Sequence, residues 1–231
     1  MLKLLLDPRA EGAFFADTLA VAQAEVRAAF PAAEPAVAAH HTLTFLSVAL
    51  PEAAAPALVR LATVQAVFAE GEGGLRLLDA DPGFALPPTL VWGTKYRGKT
   101  HELATQLALN VALAHHTPAD RPLKLLDPMA GRGSTLLWAL RYGLEARGVE
   151  QDPRALADLQ RHVKRQCKLH RLKHQQRKGS VGPKRKDQAG AFLEYRFGER
   201  GLKLVTGDSR DVASLLAGER VDLIVSDLPY G

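Results

Sequence analysis

Leu123-Lys124-Leu125-Leu126 runs into Asp127-Pro128-Met129-Ala130-Gly131-Arg132-Gly133-Ser134, and Thr135–Tyr142 continues as a helix. A short apolar strand, an acid, a turn with two glycines and a helix form a ligand-binding arrangement with a physical cause. Gly131 and Gly133 permit tight turning and close backbone approach, and a helix N-terminus attracts negative charge such as a carboxylate. The pattern repeats outward. Glu145–Glu150 reads as a strand, and Asp152-Pro153 opens the next helix as N-cap and first-turn proline. Leu202–Thr206 reads as a strand, Asp211–Ala217 as a helix and Val221–Ser226 as a strand. Strand–helix alternation of this kind predicts an α/β fold with a parallel, doubly wound sheet.

Each strand closes on a residue suited to binding. Glu150 ends the second strand, where an acid accepts hydrogen bonds from ribose hydroxyls. Thr206-Gly207-Asp208-Ser209 follows the third, where Asp208 either meets an adenine amino group or caps the helix behind it. Asp227-Leu228-Pro229-Tyr230-Gly231 follows the fourth, as a binding segment or as a simple proline turn. A glycine turn or a strand-end acid means little alone. In this order they share the carboxyl edge of one sheet, where ligands bind.

The last segment resembles the D-x-P-Y motif of S-adenosylmethionine-dependent methyltransferases acting on exocyclic amines of nucleobases, and residues 127–134 look like their cofactor loop. The D-L-P-Y-G form is similar to that of THUMP-linked tRNA guanine-N2 methyltransferases more than to DNA adenine methylases. Lys95-Tyr96-Arg97-Gly98-Lys99-Thr100, ahead of a helix with Asn110, resembles the lead-in to their catalytic domain. The likeness covers residues 90–231 apart from a basic segment. It implies a Rossmann-like methyltransferase domain with a partial parallel sheet. It implies S-adenosylmethionine held by Asp127, Gly131, Gly133, Glu150 and Asp208. A base amine is a poor nucleophile because its lone pair is delocalised into the ring. Asp227 and the Leu228 carbonyl would accept its two N–H groups, Pro229 would fix the chain direction, and Tyr230 would stack the base. Family sheets continue past this strand, so the resemblance also implies a chain cut short.

Other readings stay open. Gly93-Thr94-Lys95-Tyr96-Arg97-Gly98-Lys99-Thr100 satisfies G-x-x-x-x-G-K-[ST], so Lys99 and Thr100 could serve a nucleotide hydrolase. Lys95, Tyr96 and Arg97 are bulky for such a loop; Lys95, Arg97 and Lys99 meeting substrate phosphates is the alternative. A DNA amino-methyltransferase and a non-catalytic RNA-binding module are further candidates.

The net charge of +5 is uneven. Residues 161–186 hold 11 of the 30 Lys and Arg and no acid, leaving 19 basic against 25 acidic side chains elsewhere. Arg161, Lys164, Arg165, Lys168 and Arg171 form a stripe if the helix after Pro153 continues, which suits nucleic acid, tRNA by the resemblance. The region at about 161–190 reads as a basic insertion, mobile from Lys178 to Gly190. Cys167, His170 and His174 have metal-like spacing, but without a second cysteine no metal is expected.

Residues 1–88 read as a small α/β domain, and 89–231 as the second domain. Leu2–Leu6, Thr42–Leu50, Val64–Phe68 and Leu75–Leu78 are strand candidates, the last two flanking a hairpin-like turn at Glu70–Gly74. Glu11–Phe30, carrying Phe14, Phe15, Ala22, Val26 and Phe30, and Glu52–Ala62 are predicted helices. A third helix, His101–His115, carries Leu103, Leu107 and Val111 on one stripe. A single cysteine and no membrane-length apolar run point to a cytoplasmic protein without membrane partners.

Overall fold

The computed structural model describes residues 1–92, 100–117, 119–182 and 189–228. Two compact units emerge: Met1–Gly83 with His101–His116, and Phe84–Thr100 with Thr117–Gly231. Both mix helices and strands. Helix 101–115, placed by the sequence in the second domain, therefore belongs to the first unit. Among the described residues no helix is long and apolar enough to cross a membrane.

In the first unit β1 (Leu2–Leu6) alternates buried and half-buried residues, which points Leu2, Leu4 and Leu6 into the core. Helices α1 (Arg9–Phe14) and α2 (Thr18–Ala29) follow, then β2 (Ala36–His40), β3 (Leu43–Val48), α3 (Ala55–Leu58), β4 (Val64–Gly71), β5 (Gly74–Leu77) and α4 (Glu102–Ala114). The antiparallel order β2-β3-β1-β4-β5 is that of a split β-α-β-β-α-β motif with β5 added at the edge. The predicted single helix over 11–30 is broken at Phe15, which turns to φ 51 and is 77% exposed instead of joining the apolar stripe. The Thr18 hydroxyl bonds the Phe15 carbonyl and restarts the helix. β2 escaped the sequence reading because it is mostly exposed and small-residue-rich.

Inside this unit Glu25 is buried but fully satisfied. Its carboxylate accepts from the Ala62 and Thr63 amides, the Thr63 hydroxyl and Asn110 Nδ2. That last bond ties α4 to the unit. The buried side of α4 is Leu103, Thr105, Gln106 and Leu109; Val111, expected on the apolar stripe, is exposed.

The second unit contains β6 (Lys124–Asp127), α5 (Ser134–Arg141), β7 (Glu145–Glu150), α6 (Arg154–His170), β8 (Gln175–Ser180), β9 (Ala191–Phe197), β10 (Arg200–Thr206), α7 (Val212–Leu215) and β11 (Leu223–Ile224). Its six-stranded sheet has the order β11-β6-β7-β10-β9-β8. The first four strands are parallel, and β9 and β8 complete it as an antiparallel hairpin. β6, β7 and β10 step one way across the sheet, whereas β11 returns to the far side of β6. Crossovers of opposite direction need opposite faces if each is right-handed, so the reversal between β6 and β11 opens a crevice.

The hairpin corrects two expectations. Lys178, Gly179 and Ser180, expected mobile, lie in β8, and the sheet has six strands where the sequence suggested four. β8 is exposed along nearly its whole length, so no apolar alternation announced it. β9 carries that signal, with Leu193 and Tyr195 fully buried.

Candidate active site

The carboxyl ends of β6, β7, β10 and β11 frame one cavity of about 410 Å3. Asp127, Pro128–Gly131, Ser134 and Thr135 line it from β6 and the following loop. Glu150 and Gln151 contribute from β7, Gly207–Ser209 from β10, and Asp227 and Leu228 from beyond β11, with Thr100 completing the wall. Small-molecule sites are typically roughly 300–1,000 Å3 and favour such a strand-order reversal.

Asp127 is 2% exposed. Its Oδ1 accepts from the Met129 amide at 3.1 Å and from the Ser226 hydroxyl at 2.7 Å. Burial raises its pKa; the bonds from Ser226, Thr135 and Met129 oppose that shift. It therefore shapes the loop and ties the end of β6 to the residue before Asp227.

Gly131 takes φ 52 and Gly133 φ 84 as N-cap of α5, a region where an L side chain would be strained. α5 has no acid in its first turn and no side-chain cap, which leaves its positive end for an anionic group. Glu150 reaches back across the loop. Its Oε2 accepts from the Gly131 amide at 2.7 Å and its Oε1 from the Asp152 amide at 2.8 Å.

Asp208 lines the cavity and also caps the 3-10 turn Ser209–Asp211. Its carboxylate accepts from the Arg210 guanidinium and amide, which hold its pKa down at about 2. Asp208 thus caps the turn that leads into α7 and lines the cavity as well. Asp227 is exposed at the cavity wall and accepts from the Thr100 hydroxyl. Leu228 is 61% exposed beside it.

The structure thus brings Asp127, Gly131, Glu150, Asp208, Asp227 and Leu228 to one cavity, with Gly133 at the head of its helix. Pro229, Tyr230, Lys95, Arg97 and Lys99 lie outside the described residues. Before Gly93 stands a 3-10 turn, Pro88–Leu90, where a phosphate-binding loop follows a strand. Lys164, Lys168 and Arg171 are exposed on and just after α6. Cys167 is buried, His170 bonds the Thr89 hydroxyl, and His174 packs on Tyr195.

Three contributors stand outside the set that the sequence marks as site residues. Thr100 figures there only in the phosphate-loop pattern and the lead-in segment. Ser226 figures only as the end of a strand. Gly148 carries a readable signal, a lone glycine inside a strand. A Cβ there would lie 2.7 Å from Leu136 Cδ1 and 2.8 Å from the Ala130 Cβ, so the loop can close onto β7 only over glycine. No protein-family model and no curated protein matches this chain.

Proposed function

We propose that the second unit is a Rossmann-like methyltransferase domain that uses S-adenosylmethionine to methylate an exocyclic amino group of a nucleobase, guanine N2 of tRNA being the acceptor the sequence resemblance favours. The supporting observation is the convergence of Asp127, Glu150, Asp208 and Asp227, each at the end of a different parallel strand, on one cavity at the strand-order reversal.

The residues present fit that cofactor. The acid-free N-terminus of α5 suits a carboxylate. Glu150 offers a carboxylate to a ribose diol, and Asp208 an acceptor to an adenine amine. Bound there, the cofactor supplies an electrophilic methyl group. The chain has to hold the acceptor nitrogen in line and draw its lone pair out of the ring. Asp227 accepts one N–H and the Leu228 carbonyl the other, while the Thr100 hydroxyl limits rotation of the Asp227 carboxylate. The stacking role of Tyr230 rests on the sequence alone.

Parallel calorimetric titrations with S-adenosylmethionine and ATP test this. The expected result is binding of S-adenosylmethionine alone, weakened in Glu150→Ala, with methyl transfer to tRNA lost in Asp227→Ala. ATP binding that depends on Lys99 would replace the reading with a nucleotide hydrolase. RNA binding with neither small ligand would leave a non-catalytic module.

A further inference from the structure

Helix α6 has two unlike faces. Ala155, Leu159, Val163, Gln166 and Cys167 are buried. Arg161, Lys164, Arg165 and Lys168 are exposed, and Arg171 and Lys173 continue the series past its end. β8 adds exposed Arg177 and Lys178. Helix and strand present one surface, because the Gln160 amide bridges them. It donates to Gln176 Oε1 at 3.3 Å and accepts from Lys178 Nζ at 2.6 Å.

Little of this charge is neutralised. Arg161 pairs with Asp158 and Arg177 with Glu194. Lys164, Arg165, Lys168, Arg171 and Lys173 have no acidic partner among the described residues. Arg161 with Arg165, and Lys164 with Lys168, are like charges four apart on a helix, an arrangement that destabilises it. A polyanion lying on this face would relieve that repulsion.

The occupant's chemistry follows from what the face lacks. A membrane-surface helix buries its own apolar face in lipid, but the apolar face of α6 is already used by the fold. A protein partner needs apolar anchors, and Leu169, 64% exposed, is the one large apolar side chain exposed on α6. A phosphate backbone needs none. At about 1.5 Å per residue, the rise from Arg161 to Arg171 covers roughly 15 Å, several phosphates of a duplex at about 1.7 Å per charge. α6 also starts beside the cavity, since Glu150 and Gln151 line it just before Arg154.

We propose that the outer face of α6 and β8 docks the phosphate backbone of RNA; the choice of RNA among nucleic acids rests on the function proposed above. These contacts would be independent of sequence and sensitive to salt.

The test is binding of fluorescein-labelled bulk tRNA by the full chain over a salt series. Lys164→Glu, Lys168→Glu and Arg171→Glu combined should weaken binding at least tenfold. The log–log salt dependence should become shallower by about three, roughly one per lost phosphate contact. The corresponding triple Gln variant should show a smaller loss and the same thermal transition as the parent. Unchanged affinity and slope in the Glu variant, or equal competition by polyglutamate, would overturn the proposal. S-adenosylmethionine titration of the same variant separates the two readings. Retained RNA docking with no cofactor binding in any form would defeat the proposed function and leave this surface standing.

Discussion

The Thr100 hydroxyl donates a hydrogen bond to the Asp227 carboxylate, joining residues 127 apart in sequence at the wall of one cavity. An acid that accepts an amine N–H works only if its lone pairs point at the acceptor site, and an exposed carboxylate otherwise rotates freely. Thr100→Val removes the donor while keeping the branched shape. Its single-turnover methyl transfer is expected to fall about tenfold, the worth of one charge-assisted bond of roughly 1.5 kcal/mol. S-adenosylmethionine affinity should stay unchanged, and Thr100→Ser should recover most of the rate. A Val variant as fast as the parent would reduce the contact to packing.

Glu150 serves two amides of its own chain before it meets any ligand. To engage a ribose diol it must share or release the Gly131 bond. Glu150→Ala is expected to weaken S-adenosylmethionine binding ten- to a hundredfold, for about 1.5–3 kcal/mol of charge-assisted bonding. Glu150→Gln should fall between, since its amide oxygen can still accept from Gly131. Calorimetry on the two variants measures the difference.

The parallel strands were legible from an apolar run or from the residue that closes them. Leu123–Leu126 before Asp127 carries both signals, whereas Glu145-Ala146-Arg147-Gly148-Val149-Glu150 has no apolar run and is marked by its terminal acid and its place between two helices. β8 was not legible: as an exposed edge strand, Gln175–Ser180 has no face to bury and therefore no period-two pattern. The predicted strand Val221–Ser226 shrinks to Leu223–Ile224, which among the described residues pairs with β6. The stripe on α4 was misread because Gln106, polar in sequence, is buried by bonding the Arg60 carbonyl. Contacts such as Thr100 to Asp227 have no local signal at all, since nothing in either segment names its partner.

Gly148 allows the loop after β6 to lie on β7. Gly148→Ala places a methyl group in overlap with Leu136 and Ala130. The strain should cost about 1–3 kcal/mol. At roughly 2–4 °C per kcal/mol in a chain of this size, the melting temperature should drop by several degrees. Because Ala130 belongs to the loop, S-adenosylmethionine affinity should fall with it. A stability loss with unchanged affinity would show that the loop absorbs the methyl group without moving.

Glu219 joins two neighbouring strands. It accepts from Lys124 on β6 at 2.8 Å and from Arg147 on β7 at 2.6 and 3.0 Å. Burial alone would raise its carboxyl pKa, but the bonds and charges of Arg147 and Lys124 prevail and bring it down from 4.5 to about 2. A carboxyl depressed on folding stabilises the native state above its unfolded value, and that contribution disappears as pH falls through the folded value. Glu219→Gln should therefore cost about 1–2 kcal/mol at neutral pH, allowing for partial exposure. The gap to the parent should narrow below pH 4.5 and close near pH 2. Urea unfolding across that range checks it, and a constant gap would assign the stabilisation elsewhere.

Asp208 caps a 3-10 turn and faces the cavity, and one substitution separates the two duties. Serine caps about as well as aspartate but is one atom shorter and uncharged. If capping is the whole role, Asp208→Ser keeps both stability and cofactor affinity. If the carboxylate accepts the adenine amine, the melting temperature holds while S-adenosylmethionine affinity falls about tenfold, the worth of one lost bond to a charged group. The second outcome is expected, because the cap needs only the Oδ1 that bonds the Arg210 amide. Oδ2 is held by the terminal nitrogen of an arginine side chain that is 88% exposed.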